Sequence, residues 1–225
     1  SGGKADLAEL WQEPADLLQR DLFYGPGGAA LAPQAGGTFQ FVAYKTTGTN
    51  PGYDVRDANG RLWSVKLGIE AQSEVVASRI LWAMGFPQPA AYYVSQFTLT
   101  GADAGVKTNA RFRTDVDQWR PGGEWSWYEN PFIGTQQFRG LVVAQLVLNN
   151  WDMKTANNRL YEAVDPSATP RRQFVVRDVG ASLGHSKQHI FFATLGTRGW
   201  QGSKNDVDDF ERQGFIEKVT GDQVD

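Results

Sequence analysis

The stretch "NNWDMKTANN", residues 149–158, decides how this chain is read. It follows the apolar run "LVVAQLVL" and crowds four asparagines around one aspartate and one lysine. Asn and Asp are common turn formers, so a helix end followed by a loop is the plain explanation. The spacing of Asp152 and Asn157 asks for more: an acid and a neutral oxygen donor delivered five residues apart by one loop after a buried segment.

Working outward, "TQQFRGLVVAQLVL" predicts a buried helix leading into this loop. Beyond it, "NRLYEAV" and "RRQFVVRD" predict two strands joined by the turn-rich "DPSATP". The second strand ends at Asp178, in "RDVGAS". Upstream, "TFQFVAY", "YDVRD" and "RLWSVKL" predict a three-stranded antiparallel meander, with Asn59-Gly60 as a type I′ hairpin turn. The third of these strands carries Lys66. "EAQSEVVASRILWAMGF" then predicts a helix over 70–84 with Val76, Ile80 and Met84 stacked on its buried face, Ala77 and Leu81 beside them, and Gly85 at its end. On a wheel of ~100° per residue, Glu74 borders that apolar face, where a half-buried ion-pair partner belongs. Glu70 is its rival, in a first turn where an acid is favoured by the helix dipole alone. "AAYYVSQFTLTG" predicts a further strand element, and residues 101–130 read as loop-rich, with two tryptophans in "GGEWSWYENPF". Residues 5–22 read as two short helices broken by Pro14, with Asp16 and Arg20 as an i,i+4 pair.

Composition bounds the function. The 225 residues are 41% apolar and 21% charged, as in globular proteins, and no run approaches the ~18 apolar residues of a membrane span. With no cysteine, disulfides, thiolate metal sites and cysteine nucleophiles are excluded. The net charge of −3 is uneven: residues 206–225 hold seven acids against Arg212 and Lys218. No basic stripe for nucleic acid is present. No signal-peptide pattern is seen, and since one could have been removed, location stays open between the cytoplasm and an exported compartment.

Lys66 on a strand, Glu74 or Glu70 on a helix, "DMKTAN" after a buried helix and "DVG" at a strand end occur in that order. In this order and spacing the chain resembles the protein-kinase-like superfamily, whose elements are a strand lysine, a helix glutamate, a D-L-x-x-x-N catalytic loop and a D-F-G aspartate. Asn150-Trp151 stands where His-Arg precedes the catalytic aspartate, which is more similar to the atypical branches: HipA-like, secretory-pathway or lipid kinases. The motifs cover roughly residues 39–184. The resemblance implies an α+β, two-lobed fold: residues 1–98 as an antiparallel β-rich N-lobe with one helix, residues 99–225 as a mainly helical C-lobe. Only 47 residues follow Asp178, so that lobe is expected to be reduced or truncated, with a barely paired strand at its end.

The resemblance also implies roles. Lys66 would meet ATP phosphates, held by Glu74; Gly48 and Gly52 would lie in the phosphate-covering loop, although "TTGTNPGYD" is not G-x-G-x-x-G. Asn157 and Asp178 would hold Mg2+, or Mn2+, through oxygen. Asp152 would orient the acceptor hydroxyl and take its proton, and Lys154 would neutralise the transferring phosphoryl group. The acceptor, whether protein, lipid, sugar or small molecule, is not legible. Two other functions remain open: a pseudokinase or nucleotide-binding module of the same fold, and a carbohydrate-binding domain using Trp125 and Trp127 as a stacking platform. His185 and His189, spaced i,i+4, would need a third ligand to hold a metal.

Overall fold

The computed structural model describes residues 6–46 and 50–183, together with the backbone of two short terminal strands. It is a mixed α/β molecule with a sheet-rich body and few helices. The first sheet is a closed barrel of five strands in the order β1-β2-β3-β5-β4: β1 (Thr38–Tyr44), β2 (Gly52–Arg56), β3 (Leu62–Leu67), β4 (Ala90–Thr100) and β5 (Gly105–Thr114). All neighbours are antiparallel except β1 and β4, whose short parallel pairing (Thr38–Gln40 with Thr98–Thr100) closes the ring. Alternation fills the barrel. Phe39, Val55, Trp63, Val65, Phe97, Leu99 and Phe112 point inward and are essentially inaccessible. Phe112 meets Phe39 and Phe97 with ring centroids 4.8 and 5.0 Å apart.

The predicted meander is present, but its turn differs. Gly60 has φ 81°, whereas Asn59 is not among the residues of positive φ, so the type I′ geometry is not formed. Asp57 organises the bend instead, accepting from the Asn59 and Arg61 amides and from the Trp63 indole.

Strand β5 lies in residues 101–130, which the sequence pattern presents as loop-rich. The expected domain boundary at 98/99 falls inside β4, whose hairpin partner β5 belongs to the same barrel, so the sheet runs to Thr114. The reason lies in "NARFR". Ala110 and Phe112 face the barrel core while Arg111 and Arg113, only 3% and 8% exposed, face the other way and are buried too. Paired buried arginines do not look like strand residues in a sequence.

A short helix, α1 (Gly28–Leu31), precedes the barrel. Helix α2 (Glu70–Ala83) lies against β3, β4 and β5. Gly85 ends it as expected: at φ 94° it donates to Trp82 O while Phe86 donates to Leu81 O, the Schellman pattern. A Cβ there would lie 2.1 Å from Gln12 O, so glycine is required twice over. The buried face is not the one expected. Val76, Ile80 and Met84 are 46%, 37% and 41% exposed, and Ala71, Ser73, Glu74, Ala77, Ser78 and Leu81 are buried instead. The helix is rotated because Glu74 and Ser73 have partners inside, described below.

Helix α3 (Gln136–Val147) is capped by Thr135, whose Oγ1 accepts from Phe138 N. It buries Phe138, Leu141, Ala144 and Gln145. A three-stranded antiparallel sheet follows the order β6-β7-β8: β6 (Trp119–Pro121), β7 (Asn158–Ala163) and β8 (Arg172–Val176). The second core joins Leu81 and Ala77 of α2 to α3, Phe174, Val176, Trp125 and Trp127. The latter two are 4% and 7% exposed, so the tryptophan platform for sugars is not formed. Among the described residues beyond Thr114 there are one α-helix, a single 3-10 turn, three strands in one sheet and a two-residue strand pair near the end, and the expected mainly helical lobe is not seen among them. Val219–Thr220 and Gln223–Val224 pair antiparallel, so the last strand is paired over two residues.

Leu81→Ala should cost about 2–5 kcal/mol, the range for truncating a fully buried leucine. Ile80→Ser, one residue away, should stay within about 1 kcal/mol because its side chain is already part-solvated. Urea unfolding of both variants checks the rotation of α2; a larger loss at Ile80 than at Leu81 would contradict it.

Candidate active site

The opening stretch divides into scaffold and site. Asn149 takes φ 51° after α3 and donates to Leu146 O, while Asn150 N donates to Gln145 O. The first asparagine is thus a helix stop, the turn function that its composition suggests. The Asn150 side chain braces the loop: Nδ2 donates to Gln145 Oε1 at 2.7 Å and Oδ1 accepts from Asp152 N at 3.3 Å. Asp152 Oδ2 in turn accepts from Lys154 Nζ at 2.9 Å and from Asn157 Nδ2 at 3.0 Å. A single 3-10 turn, Thr155–Asn157, carries the chain into β7.

The β7–β8 hairpin then returns to the same place. Its register sets Asn158 opposite Val176. The next residues out therefore meet, and the Arg177 and Asp178 amides both donate to Asn157 O, at 2.9 and 3.1 Å. Asp152, Asn157 and Asp178, 26 positions apart along the chain at the extremes, are joined by consecutive hydrogen bonds.

Lys66 reaches the same point from β3. Its Nζ lies 2.9 Å from Glu70 Oε2, 3.4 Å from Glu74 Oε2 and 3.3 Å from Asp178 Oδ1. Glu74 was expected as the partner over Glu70. The lysine in fact stands between both, with the shorter contact to Glu70. Glu74, 2% exposed, spends its other oxygen on Arg111 Nε at 2.7 Å and Arg113 Nη1 at 3.2 Å. Glu70 also accepts from Asn50 Nδ2 at 2.8 Å, tying the β1–β2 connection to the site. Gly180 packs against this pair: a Cβ there would lie 3.1 Å from both Lys66 Nζ and Glu70 Oε2. Its carbonyl accepts from Ser73 of α2 at 2.9 Å. Gly52 sits opposite Lys66 on β2, where a Cβ would come within 2.6 Å of Val65 O. Gly48 lies outside the described residues, as do His185 and His189.

Lys66, Glu70, Asp152, Lys154, Asn157 and Asp178 line one open cleft of about 380 Å³, while Glu74 is buried and does not line it. Charge governs the cleft. Withdrawal from water opposes the Lys66 ammonium, but Glu74, Asp178 and Glu70 outweigh that and hold its pKa above the usual lysine value. Asp178 is likewise penalised by desolvation; Lys66, then Arg113 and Arg111, reverse the sign, and with the Gly180 amide they bring its carboxyl to about 2. Burial and the like charge of Arg113 push Arg111 down to about 10.

Sequence reasoning missed Asn50, Arg111, Arg113, Arg177 and Gly180. The arginines gave a signal, three guanidiniums immediately before or beside strand hydrophobics, but it is the signal of any solvated strand face.

The sequence matches no described protein family and no curated protein. Among solved structures it is similar to the crystal structure of a proinflammatory kinase of Helicobacter pylori, CtkA, with TM-score 0.43 and 17% identity, over 65% of this chain and 60% of that one. The matched part is thus less than two thirds of that kinase. The likeness is weak, and it is the cleft's geometry that bears on function.

A carboxyl held near 2 when folded, against ~3.9 when unfolded, stabilises the fold above about pH 4; the contribution is lost as pH falls towards 2. Asp178→Asn should flatten the acid limb of a urea-midpoint profile in that window. An acid limb as steep as that of the parent protein would mean that other carboxylates dominate.

Proposed function

We propose that the chain is an ATP- and magnesium-dependent phosphotransferase of the atypical kinase type. One observation carries this: a strand lysine, a helix glutamate and three loop residues, read from sequence only as an order, converge in a single cleft, with a second glutamate buried against the lysine. Lys66 lies within 3.5 Å of Glu70, Glu74 and Asp178, and Asp178 is hydrogen-bonded through Asn157 to Asp152.

Lys66, fully protonated, meets the donor's phosphate oxygens. Glu70 and Glu74 aim its ammonium. Asp178 and the amide oxygen of Asn157, whose Nδ2 is committed to Asp152, would supply hard oxygen ligands for magnesium. Among the described residues no three acids or histidines form a metal cluster, which suits an ion completed by phosphate oxygens and water. Bound there, magnesium would neutralise phosphate charge. Asp152 orients the acceptor hydroxyl. As the bond from the terminal phosphorus to its leaving oxygen breaks and the bond to the acceptor oxygen forms, the hydroxyl proton passes to the Asp152 carboxylate. Lys154, beside Asp152, balances the charge of the transferring group.

A role in binding nucleotide without transfer is favoured by one detail: the Asp152 carboxylate is already engaged by Lys154 and Asn157. Two variants separate the cases. Asp178→Ala should abolish the magnesium-dependent thermal shift with ATP while leaving the far-ultraviolet spectrum unchanged. Asp152→Asn should keep that shift and lower phosphate transfer or release by ~10²-fold or more. Unchanged turnover in Asp178→Ala would sink the assignment; ATP binding with no turnover in the unmodified protein would leave the binding module.

A further inference from the structure

Asp178 lies two residues past the end of β8, where no sheet ladder fixes the chain. The backbone there is held from two sides. On the loop side, Asn157 O accepts from the Arg177 and Asp178 amides at 2.9 and 3.1 Å. On the other side stand two side chains that no sequence motif singles out. Arg113 Nη1, on β5, donates to Arg177 O at 3.0 Å, and Ser73 Oγ, on α2, donates to Gly180 O at 2.9 Å. The carbonyl one residue before Asp178 and the carbonyl two residues after it are both satisfied in this way.

Both donors are buried, Ser73 at 3% and Arg113 at 8% exposed. The Ser73 hydroxyl has one proton and two acceptors in reach, Gly180 O at 2.9 Å and Glu70 O at 3.1 Å. Glu70 O belongs to α2, whose own amides serve its carbonyls, whereas Gly180 lies in a turn and its carbonyl needs the hydroxyl more. Arg113 Nη1 carries two protons and meets two acceptors, Arg177 O and, at 3.2 Å, Glu74 Oε1. The guanidinium therefore joins the buried carboxylate of α2 to the residue before Asp178, while the neighbouring helix residue reaches the carbonyl beyond it. Turning α2 outward would break both connections together. The contact of Lys66 Nζ with Asp178 Oδ1, at 3.3 Å, is of another kind. A metal ion arriving at the Asp178 carboxylate competes with the ammonium for the same oxygens. The two carbonyl bonds use neither carboxylate oxygen and survive that exchange.

We infer that Ser73 and Arg113 are positioning residues: as a two-point clamp on residues 177–180, they hold the Asp178 carboxylate where it can take a divalent cation, whatever Lys66 does. The inference rests on the proposed phosphotransferase function in giving Asp178 a magnesium ion to hold. Neither residue touches the reacting groups; each acts through the backbone beside Asp178.

Three variants of the whole chain test this. Ser73→Ala removes one arm of the clamp. Arg113→Lys weakens the other while keeping a cation beside Glu74. Thr114→Val is the control: its hydroxyl is buried on the same strand as Arg113 and donates to Leu62 O at 2.9 Å, away from Asp178. Ser73→Ala and Arg113→Lys should each raise the magnesium concentration at half of the ATP-dependent thermal shift by about 10-fold, and Thr114→Val should move it by less than about 2-fold. Amide hydrogen exchange in the metal-free protein gives the second readout. Exchange over residues 176–182 should be about 10-fold faster in Ser73→Ala and Arg113→Lys and unchanged in Thr114→Val. A folded Ser73→Ala or Arg113→Lys with an unmoved magnesium requirement or unmoved exchange would overturn the clamp. So would a Thr114→Val that moves either readout as far, since the effect would then be one of global stability. The two readings fail separately. Magnesium-dependent transfer with an unmoved magnesium requirement in both variants removes the clamp and keeps the phosphotransferase. A parent protein with no magnesium-dependent ATP shift removes the phosphotransferase, and the exchange rates alone then decide whether Ser73 and Arg113 hold residues 177–180.

Discussion

The carboxylate of Glu74 is the constraint on which the cleft depends. It is 2% exposed, and an isolated carboxylate so placed would cost several kcal/mol of desolvation. It is tolerated because three cations from two adjacent strands converge on it: Lys66 of β3, and Arg111 and Arg113 of β5. Those cations need it equally. The sheet register places Lys66 directly opposite Arg111, a like-charge cross-strand pair that would be repulsive without an acid between. Removing Glu74 would leave buried cations uncompensated, a change of the kind that costs about 3–5 kcal/mol. The same carboxylate therefore fixes the rotation of α2, the outward face of β3 and β5, and, through the Arg113 bond to Arg177 O, the position of the chain leading to Asp178.

That constraint also explains what sequence periodicity misread. The hydrophobic stripe Val76–Ile80–Met84 is the stronger apolar signal on α2, and a periodic count assigns it to the core. Ion pairing is the larger effect at this site: Glu74 and Ser73 turn inward, Ala77 and Leu81 follow, and the apolar stripe is left part-exposed. The same blindness hid β5, whose alternation is clear once Arg111 and Arg113 are understood as buried. Signals settled by a few neighbouring residues were legible. Gly85 and Asn149 stop their helices, Thr135 starts α3, and the strands of the first meander and of the β7–β8 hairpin lie where alternation put them. Trp125 and Trp127 were ambiguous because tryptophan suits a core and a sugar platform alike, and only the packing around Phe174 and α3 separates the two.

The candidate site was legible as an ordered set of residues and not as a geometry. Asp152, Asn157 and Asp178 stand out in the sequence, but their contact depends on the pairing of β7 with β8. A two-residue slip in that register would move Asp178 about 7 Å along the strand and break its amide's bond to Asn157 O. Of the partners that complete the site, Asn50 and the pair Arg111 and Arg113 come from two other segments, and Arg177 and Gly180 flank Asp178; they carry no mutual spacing that a linear reading detects. Gly180 is the clearest case: in the sequence it is one more turn glycine, and in the fold a Cβ there would crowd Lys66 Nζ and Glu70 Oε2 at 3.1 Å.

The two glutamates beside Lys66 differ in how firmly they are held, and this orders their roles. Glu74 is bound by two arginines and is nearly inaccessible, so separating it from the cluster carries a full desolvation and ion-pair cost. Glu70 makes the shorter contact to the lysine, but its side chain is 13% exposed, it lies in the first turn of α2, and its other partner is the amide of Asn50 on the β1–β2 connection. An anion entering the cleft competes with carboxylates for the Lys66 ammonium. The cost of yielding is lower for Glu70, which is part-exposed and can turn to water, than for Glu74, which would abandon buried guanidiniums; the same Glu70 oxygen, Oε2, holds both Lys66 and Asn50. Glu74 is then the fixed electrostatic anchor of the lysine and Glu70 its exchangeable partner, and the Asn50 bond makes the β1–β2 connection the segment that feels the exchange.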